Sequence, residues 1–469
     1  MSVALLIDFG STFTKLRAVD LDDCRIVATA QAPSTVTSDV NLGFDAALAE
    51  LKGKLGGLPG FRYRLASSSA AGGLRMVTVG LVRELTAEAA RQAALGAGAK
   101  LVGSFAYRLT ASDLRRVLEL EPDLLLLCGG TDGGNTEVIL HNARVLAGAG
   151  LSCPFIVAGN REVADEVAAS LSSAGRTAVV TGNVMPELNV LSIEPARKAI
   201  RELFMARIVT AKGIDRAQAK FDRVLMPTPA AVLEGARLLA EGVGGGQPGL
   251  GDLMVIDPGG ATTDVHSIGK GEPSEPGVLP YGLPEPYAKR TVEGDLGMRH
   301  NAQTIVEVVG IEAIASEAGL DKERAQELVG RLANDVGRLP QDNDERVLDR
   351  ALAATAVRIA VARHAGHLET VYTAQGPVRM QRGKDLTRLN AIIGTGGALV
   401  AASDPHCLLA AAFADGRDPM SLAPRTATLW LDREYLIYAA GLLAEYEPAA
   451  AFGLARSSLT IMEEERADG

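Results

Sequence analysis

The sequence predicts an α/β protein built from two related halves. Strand-like runs alternate with helical runs along all 469 residues, a pattern typical of sheets covered by helices. One motif occurs twice, at residues 5–16 and 255–265: a short apolar strand, an aspartate, a glycine-rich turn with hydroxyl residues and a second strand. No repeat with a period of roughly 20 to 50 residues is present. The paired motif therefore indicates two halves and not a repeat array.

Composition excludes several classes of protein. The net charge of -10 argues against a nucleic-acid surface, where Lys and Arg would cluster. No apolar run approaches the roughly 20 residues of a membrane helix, and no signal peptide is recognisable. The four cysteines are widely spaced and form no C-x-x-C pair, as expected in a reducing compartment. We therefore expect a soluble cytoplasmic protein without nucleic-acid or membrane partners.

In the first half, strands are predicted where short β-branched runs lie between turn residues, and helices where apolar residues recur every three or four positions. Residues 3–7, 15–20 and 25–31 are predicted to form an antiparallel meander. The predicted helices are 43–55, 79–97, 113–120 and 161–174, and the predicted strands are 62–68, 100–105, 123–128, 154–158 and 177–181. The later elements are typical of βαβ units with glycine turns.

In the second half the pattern starts with helices and continues with the second motif. The run GVGGGQPGLG at 242–251 predicts an exposed connector. The predictions in order are helices 194–212 and 230–241, a hairpin at 253–268, an irregular segment at 269–293, helices within 298–367, a hairpin at 370–382, a strand, glycine turn and helix at 390–400, and a last helix at 432–446 before a polar tail.

The two motifs carry chemistry that suits a phosphate group. Glycine lets backbone N–H groups approach an anion closely, and an aspartate at the end of a strand can hold Mg²⁺ through water. Asp8 and Asp257 occupy that position, and Lys15 follows the first turn, where it could reach a phosphate oxygen. The alternatives are that both aspartates cap turns and that Lys15 is a solvated strand lysine.

Five segments, in order, resemble the actin, sugar-kinase and heat-shock-chaperone ATPase superfamily. They resemble its first phosphate loop, first crossing helix, second phosphate loop, adenosine loop and second crossing helix, and lie at 8–15, 227–236, 257–264, 393–398 and 434–441. The resemblance implies a duplicated actin-like (ribonuclease H-like) α/β ATPase fold, with two lobes around a nucleotide cleft that takes ATP or ADP with Mg²⁺. It implies a first lobe at 1–227 with an inserted α/β region at about 111–190, a second lobe at 228–430, and a returning helix and polar tail at 431–469.

The same resemblance assigns the site residues. The nucleotide-binding residues would be Gly10, Ser11, Thr12, Phe13, Thr14, Gly259, Gly260, Ala261, Thr262, Gly394, Thr395, Gly396 and Gly397, and the catalytic residues Asp8, Lys15, Thr228, Asp257 and Asp264, with Asp8 and Asp257 at the metal. Thr228 departs from chaperone relatives, which carry a glutamate before the proline of the crossing helix to orient the attacking water. Because a hydroxyl orients water less strongly, hydrolysis is expected to be slow or partner-stimulated, with Asp264 as a second contributor.

The segment LCGGTDGGNTE at 127–137 resembles a loop of one branch, the glutamate mutase MutL (GlmL) family of accessory ATPases. Residues 157–160 and 180–186 share the resemblance, which extends over nearly the whole chain. It implies a chaperone-like ATPase that maintains or reactivates an adenosylcobalamin-dependent mutase, such as glutamate mutase or an aminomutase. For the loop itself, partner contact and a tight packing turn both remain open. Cys128 is expected to be a buried small apolar residue.

Two rival functions and two weaker metal signals complete the sequence predictions. The rivals are a small-molecule kinase, although no base for a sugar hydroxyl is recognisable, and a filament-forming actin-like protein. Direct cobalamin binding is not expected, because the D-x-H-x-x-G pattern begun by Asp404 and His406 has Leu409 at the glycine position. His364 and His367 are predicted to be a surface pair on one helix face, with no carboxylate to complete a metal site.

Overall fold

A computed structural model describes residues 2–10, 13–35, 39–68, 74–211, 223–374 and 376–462. The chain divides into two compact units. Unit 1 comprises Met1–Gly235, Gly282–Pro286 and Tyr438–Leu454, and unit 2 comprises Ala236–Tyr281, Tyr287–Ile437 and Ala455–Gly469. These limits differ from the lobe limits that the resemblance implies. The lobe limits stay a prediction. In the described part of the chain, no helix is long and apolar enough to cross a membrane.

The first sheet of unit 1 is a mixed five-stranded sheet. Its strands lie in the spatial order Arg223–Pro227, Phe61–Ser68, Val3–Phe9, Phe13–Asp20 and Arg25–Pro33. The last three form the predicted antiparallel meander, which is confirmed, and the first two run parallel to Val3–Phe9 or to each other. Every side chain of Val3–Phe9 is buried because this strand occupies the centre of the sheet. The helix Val40–Leu55 packs on this sheet against Phe13–Asp20 and Arg25–Pro33. Asp39 caps its start, and Gly56, at φ 67°, follows its end.

The second sheet of unit 1 is entirely parallel. Its strands lie in the order Lys100–Ala106, Arg75–Gly80, Leu124–Leu127, Phe155–Val157 and Ala178–Val180, which is 2-1-3-4-5 in chain order. Helices connect or follow these strands at Glu88–Gly96, Ala111–Glu119, Glu137–Ala147, Ala164–Ser173 and Glu194–Ala211. This is a doubly wound arrangement, whose ligands and contacts are typically found at the carboxyl ends of the strands.

The structure differs from the sequence predictions at two places in this region. The predicted helix 79–97 begins instead at Glu88, after the strand Arg75–Gly80 and a π-helical turn at Arg83–Ala87. The strand ends at Gly80, where the chain passes close to the π-helical turn. Glycine is required there because a Cβ would lie 2.5 Å from the backbone nitrogen of Ala87. The helix Glu137–Ala147 is absent from the sequence predictions, since the glycine run before it resembles a long loop.

Unit 2 is built on a six-stranded mixed sheet. The strands lie in the order Ala288–Glu293, Thr263–Ile268, Leu253–Pro258, Arg388–Gly394, Thr426–Asp432 and Leu459–Ile461. The first five repeat the order of the first sheet of unit 1, third, second, first, fourth and fifth, with the same antiparallel meander beside parallel strands. This repeated topology confirms the predicted class, a duplicated actin-like (ribonuclease H-like) α/β fold.

Smaller elements complete unit 2. A three-stranded sheet consists of Leu279–Pro280, Gly376–Arg382 and His367–Thr373, which includes the predicted hairpin, and two short strands pair at Gly242–Val243 and Gln247–Pro248. The helices are Ala302–Val309, Ile311–Ala318, Lys322–Asn334, Asn343–His364, Gly397–Val400 and Pro405–Ala410. Asn343–His364 is the longest of these and packs an alanine-rich face into the core of unit 2.

Three helices include residues of both units, and the C-terminal part of the chain differs from its prediction. These helices are Thr228–Glu241, Ile437–Leu443 and Pro448–Ser458.

The predicted helix 432–446 begins only at Ile437, because the buried carboxylate of Asp432 accepts hydrogen bonds from the N–H groups of Leu436 and Ile437 and caps it. The predicted polar tail contains Pro448–Ser458 and a strand. The segment 269–293, predicted to be irregular, ends in the strand Ala288–Glu293.

Candidate functional site

The first hairpin consists of Val3–Phe9, Phe13–Asp20 and the turn between them. Asp8 lies opposite Lys15 in the antiparallel register. The N–H of Gly10 donates to the carbonyl of Phe13 at 3.0 Å and closes the turn. A Cβ at Gly10 would lie 2.6 Å from that carbonyl oxygen, so the turn excludes larger residues. Two predicted nucleotide-binding residues of this turn, Ser11 and Thr12, lie outside the described residues.

Asp8 is buried, with 3% of the surface of the residue exposed. The Thr228 hydroxyl donates to its Oδ1 at 2.8 Å, and the Ser67 hydroxyl lies 3.1 Å from Thr228 and 3.5 Å from the same Oδ1. Burial raises the pKa of Asp8, although the charge of Lys15 and the Thr228 hydrogen bond oppose the rise. A cation bound beside Asp8 would therefore relieve an unfavourable buried charge.

Thr228 and Ser67 act on Asp8 from two neighbouring elements. Thr228 is the first residue of the helix Thr228–Glu241, and Ser67 lies opposite Asp8 in the parallel strand Phe61–Ser68. The Thr228 hydroxyl donates its proton to Asp8, and its role in orienting the attacking water stays a prediction. Sequence reasoning missed Ser67, because its position beside Asp8 depends on strand register and no local motif marks it.

The second hairpin, formed by Leu253–Pro258, Thr263–Ile268 and their turn, repeats this backbone geometry. Asp257 lies opposite Asp264, as Asp8 lies opposite Lys15. The N–H of Gly259 donates to the carbonyl of Thr262 at 2.8 Å, which is the counterpart of the bond from Gly10 to Phe13. The two predicted turns are therefore closed by the same backbone hydrogen bond, one turn in each unit.

A segment that sequence reasoning did not single out supports the second turn. The N–H groups of Met298, Arg299 and His300 donate to the carbonyls of Gly259 and Gly260 at 2.9–3.1 Å, and the Asn301 side chain donates to the carbonyl of Ala261 at 2.9 Å. Because the carbonyls of the turn are used on this segment, the backbone conformation of Gly259, Gly260 and Ala261 is fixed before any ligand arrives. No motif in the sequence identifies residues 298–301 as the partner.

The carboxylate of Asp264 is already engaged on both oxygens. The Arg290 guanidinium donates to Oδ1 at 2.8 Å through Nε, and the Thr262 hydroxyl donates to Oδ2 at 3.2 Å. The Arg290 side chain is 3% exposed and that of Asp264 is 15% exposed, so the ion pair is largely removed from water. Asp264 thus ties the turn to the strand Ala288–Glu293, and its role in orienting water stays a prediction.

The predicted adenosine loop lies directly beside Asp257. Gly394 is the parallel neighbour of Ile256, and the N–H of Thr395 donates to the carbonyl of Ile256 at 3.0 Å. Gly396 has φ 90°, and a Cβ there would lie 2.0 Å from Oδ1 of Asp257. Only glycine therefore fits at this position. The structure brings the second turn, Asp257 and residues 394–397 together within unit 2.

A buried aspartate anchors the predicted adenosine loop. The Thr395 hydroxyl donates to Oδ2 of Asp432 at 2.9 Å, and Asp432 also accepts from the Ser458 hydroxyl. Asp432 is fully buried and caps Ile437–Leu443. Sequence reasoning did not identify Asp432, although its position between an apolar strand and a helix is typical of a cap.

The oxygen ligands available near Asp8 fit a hydrated Mg²⁺ better than a metal ion that is held directly by several side chains. Among the described residues, no group of three or more His, Cys, Asp or Glu side chains converges on a point. Asp8 offers a buried carboxylate in unit 1, and the hydroxyl of its neighbour Thr14 is buried without a hydrogen-bond partner among the described residues. One carboxylate and a hydroxyl suit a Mg²⁺ that keeps several waters and takes its other ligands from phosphate.

The glycine-rich loop at 128–136 is packed into its sheet. The side chains of Asn160 and Asn183 donate to the carbonyls of Gly134 and Gly130, at 3.2 and 3.0 Å. A Cβ at Gly130 would lie 2.2 Å from the carbonyl of Asn135. This confirms a packing role for the glycines, while partner contact stays a prediction. The prediction for Cys128 is confirmed, since it is buried, and burial raises the pKa of its thiol.

The prediction for the two histidines is wrong. His364 ends the helix Asn343–His364 and is fully buried, with its ring nitrogens 2.8 Å from the hydroxyls of Thr291 and Ser267. His367 begins the next strand and contacts Glu369 at the surface. The helix ends between the two positions, so they share no face. Asp404 caps the helix Pro405–Ala410 by accepting from the N–H of Cys407 at 2.9 Å, which explains the Asp-Pro-His run.

The repeated sheet and the paired Asp–Gly turns define a protein of the actin-like, duplicated α/β class. A family model described as MutL protein matches residues 4–459. Protein MutL of Clostridium tetanomorphum is 46% identical over 460 residues, which cover 98% of this chain and 99% of that protein. The chain therefore belongs to the MutL family.

Solved structures of lower similarity were also found. The activator of the 2-hydroxyisocaproyl-CoA dehydratase from Clostridium difficile with bound ADPNP is 9% identical, with a TM-score of 0.34 and coverage of 97% of this chain and 96% of that chain. The ligand-bound xylulose kinase from Lactobacillus acidophilus is 10% identical, with a TM-score of 0.38 and coverage of 99% and 93%. At these scores they carry no functional conclusion, and the family assignment rests on the sequence matches.

Proposed function

We propose that this protein is an accessory ATPase that binds and hydrolyses Mg-ATP to maintain or reactivate an adenosylcobalamin-dependent mutase, such as glutamate mutase or an aminomutase. The observation that carries the proposal is membership of the MutL family over residues 4–459, together with two matching Asp–Gly turns on an actin-like fold. The mutase would carry the cobalamin, and the proposed location is the cytoplasm.

Each turn would present backbone N–H groups to the phosphates of the nucleotide. Bound Mg²⁺ would neutralise charge that develops on the leaving phosphate. Asp8 and Asp257 would hold its waters, each from the end of the first strand of a hairpin. Lys15, opposite Asp8, would add a point charge near the phosphates. These roles require groups fixed before the reaction, as the hydrogen-bonded turns are.

The adenosine part of the nucleotide would lie against residues 394–397. The Thr395 hydroxyl donates a hydrogen bond to the buried Asp432, which fixes its position. Gly396 has a positive φ and no side chain, so backbone forms the surface of the loop there. A purine or ribose can lie against backbone more closely than against a side chain. The close contact of Gly396 with Asp257 would couple adenosine binding to the position of the metal-binding carboxylate.

Hydrolysis is expected to be slow without a partner. Thr228 takes the place of the chaperone glutamate, and its hydroxyl donates to Asp8 at 2.8 Å. It therefore contributes to the position of Asp8 rather than activating a water molecule as a base. A partner that changes the nucleotide site would then raise the rate, as expected of an accessory protein.

Phosphate release separates this proposal from the kinase alternative. Purified protein with Mg-ATP and no acceptor should release phosphate, and the variant Gly396→Val should not, because its side chain collides with Asp257. A phosphorylated metabolite formed only with an added acceptor would contradict the proposal in favour of a kinase. ATP-dependent, concentration-dependent light scattering would contradict it in favour of a filament.

Reactivation tests the partner directly. A mutase from the same organism, inactivated during turnover, should recover when this protein, ATP, Mg²⁺ and fresh adenosylcobalamin are added. Neither Gly396→Val nor a non-hydrolysable analogue should sustain repeated cycles, since each cycle requires the nucleotide state to change. Recovery that is equally fast without this protein would reject the reactivase role and leave the fold assignment intact.

A further inference from the structure

The second turn presents a row of backbone N–H groups on one side. The carbonyls of residues 259–261 all accept hydrogen bonds from the segment 298–301. The peptide bonds of the described residues are trans, and in a trans peptide the N–H points away from the carbonyl of the same plane. The N–H groups of Gly260, Ala261 and Thr262 therefore point away from this segment, and none of them donates to another described residue. Such a row of N–H groups is suited to an anion.

The segment 298–301 is itself held by the side chain of Arg299. Nη1 and Nη2 of Arg299 donate to Oδ1 and Oδ2 of Asp349 at 2.8 and 2.5 Å, so guanidinium and carboxylate pair through two parallel hydrogen bonds. Nε donates to the carbonyl of Arg338 at 3.2 Å, and Nη1 also donates to the carbonyl of Met298 at 3.3 Å. Because all three guanidinium nitrogens are engaged within the protein, an indirect role in the site is favoured over direct contact with phosphate.

The partners of Arg299 belong to an element that core packing fixes. Asp349 lies on the helix Asn343–His364, whose alanine-rich face is buried in the core of unit 2. Arg338 lies in the connection before this helix, and its own side chain pairs with Glu345 of the helix at 2.7 Å. The ion pair between Arg299 and Asp349 therefore ties the second turn to the helices of unit 2.

Little water reaches this ion pair. The Arg299 side chain is 13% exposed, and that of Asp349 is 22% exposed. Burial raises the pKa of Asp349, although the hydrogen bonds and the charge of Arg299 oppose the rise. An exposed ion pair is screened by solvent and exchanges between geometries, whereas a largely buried bidentate pair keeps one. The pair is therefore able to hold the backbone of Arg299 in a single position.

We propose that Arg299 is a positioning residue of the nucleotide site, and that its pair with Asp349 holds the second turn in the conformation that receives phosphate; this inference rests on the proposed function. Without the pair, the backbone bonds of the segment 298–301 would lose their anchor, and the turn would sample other conformations. Nucleotide binding would then have to order the turn, which lowers affinity. Once bound, the phosphates would keep the turn ordered, so the hydrolysis step should change little.

The test measures phosphate release and Mg-ADP binding in the full-length variant Arg299→Ala. The KM for Mg-ATP and the Kd for Mg-ADP should each rise by about 10-fold or more, whereas kcat should change by less than about 2-fold. A merely structural role would instead reduce the amount of active protein, which lowers kcat and leaves KM unchanged. Asp349→Asn keeps the shape of the side chain without its charge. It should raise KM by a smaller factor, and it tests the pair if Arg299→Ala does not fold.

The matched control is Glu317→Ala, which removes a different ion pair of the same unit. Glu317 accepts two hydrogen bonds at 2.8 Å from Arg358, which lies on the same helix as Asp349. Among the described residues, neither partner of this pair is hydrogen-bonded to the segment 298–301. Glu317→Ala should therefore keep the KM and the Kd of the parent.

The remaining outcomes separate the positioning role from the proposed function. If the parent binds Mg-ADP and Arg299→Ala binds it equally well, the positioning role is overturned and the proposed function stands. If Glu317→Ala raises KM as much as Arg299→Ala does, the effect is a general loosening of unit 2, and the positioning role is again overturned. If the parent binds no Mg-ADP and releases no phosphate, the proposed function fails and this inference fails with it.

Discussion

The two hairpins have the same backbone but differ in how their charges and hydroxyls are satisfied. In each, a glycine N–H closes the turn and an aspartate lies at the end of the first strand. In the first hairpin the residue opposite that aspartate is Lys15, which is half-buried. In the second it is Asp264, which is paired with the buried Arg290.

Hydroxyls at the next register position show the same contrast. Thr263 donates to the carbonyl of Leu296 at 2.7 Å, so the second hairpin satisfies its hydroxyl internally. Thr14 occupies the equivalent position in the first hairpin, and its buried hydroxyl has no hydrogen-bond partner among the described residues. The second hairpin is thus braced by hydrogen bonds and an ion pair within its own unit, and a ligand-binding role for the polar groups of the first hairpin stays a prediction.

The largest expected effect comes from Gly396→Val, since its Cβ would lie 2.0 Å from Asp257 at a φ of 90°. We expect the affinity for Mg-ATP to fall by more than about 100-fold, because backbone and carboxylate must separate. The control is Gly330→Ala, at a glycine of the helix Lys322–Asn334 in the same unit, where an added Cβ would have no described atom within 4 Å apart from its chain neighbours and the helix backbone, and this variant should bind nearly as the parent does. Calorimetric titration measures both, and equal affinities would reject the adenosine-loop assignment.

The second prediction tests the difference at the matched register position. Asp264→Ala should lower the free energy of unfolding by about 3 to 5 kcal/mol, because it leaves the Arg290 charge buried without its carboxylate. Lys15→Ala should lower the free energy of unfolding by less than Asp264→Ala does, because Lys15 is half-buried whereas Arg290 is almost fully buried, but it should slow ATP hydrolysis. Denaturant unfolding and phosphate release separate the two. A stable Asp264→Ala protein would contradict the bracing role of the second hairpin.

The aspartates are expected to affect rate more than binding. Asp8→Asn and Asp257→Asn should each slow hydrolysis about 100-fold, because they position charge that matters most in the transition state. The affinity for Mg-ATP should fall by a smaller factor. Hydrolysis at the parent rate in both variants would show that neither aspartate serves the metal.

A smaller effect concerns Asp8 and pH. Burial raises the pKa of Asp8, so the folded protein holds this proton more tightly than the unfolded chain. The stability of the nucleotide-free protein from this group is therefore greatest at low pH and declines as pH rises through the raised pKa. Relative to the parent, Asp8→Asn should gain Tm as pH increases from about 4 to 8. A Tm difference that does not change with pH would contradict this account.

Much of the fold and of each half-site could be predicted because the information is local. Each hairpin with its Asp–Gly turn lies within about a dozen residues of sequence, so strand pattern and turn chemistry determine it. The supporting residues could not be predicted in this way. Ser67, Arg290 and residues 298–301 reach the site through sheet register or long connections. The misplaced start of the helix at Glu88 has a local origin, since no sequence motif marks the close contact between Gly80 and Ala87 in the turn that precedes the helix.

The central claim is that both hairpins serve one nucleotide, and titration of Mg-ATP into matched turn variants tests it most directly. A Cβ would lie 2.6 Å from a carbonyl oxygen at Gly10 and 3.0 Å from one at Gly259, so valine distorts either turn. We predict one nucleotide per chain in the parent and, in both Gly10→Val and Gly259→Val, a loss of about 10-fold or more in that single binding event. Two independent binding events, or a variant that binds as the parent does, would contradict the claim.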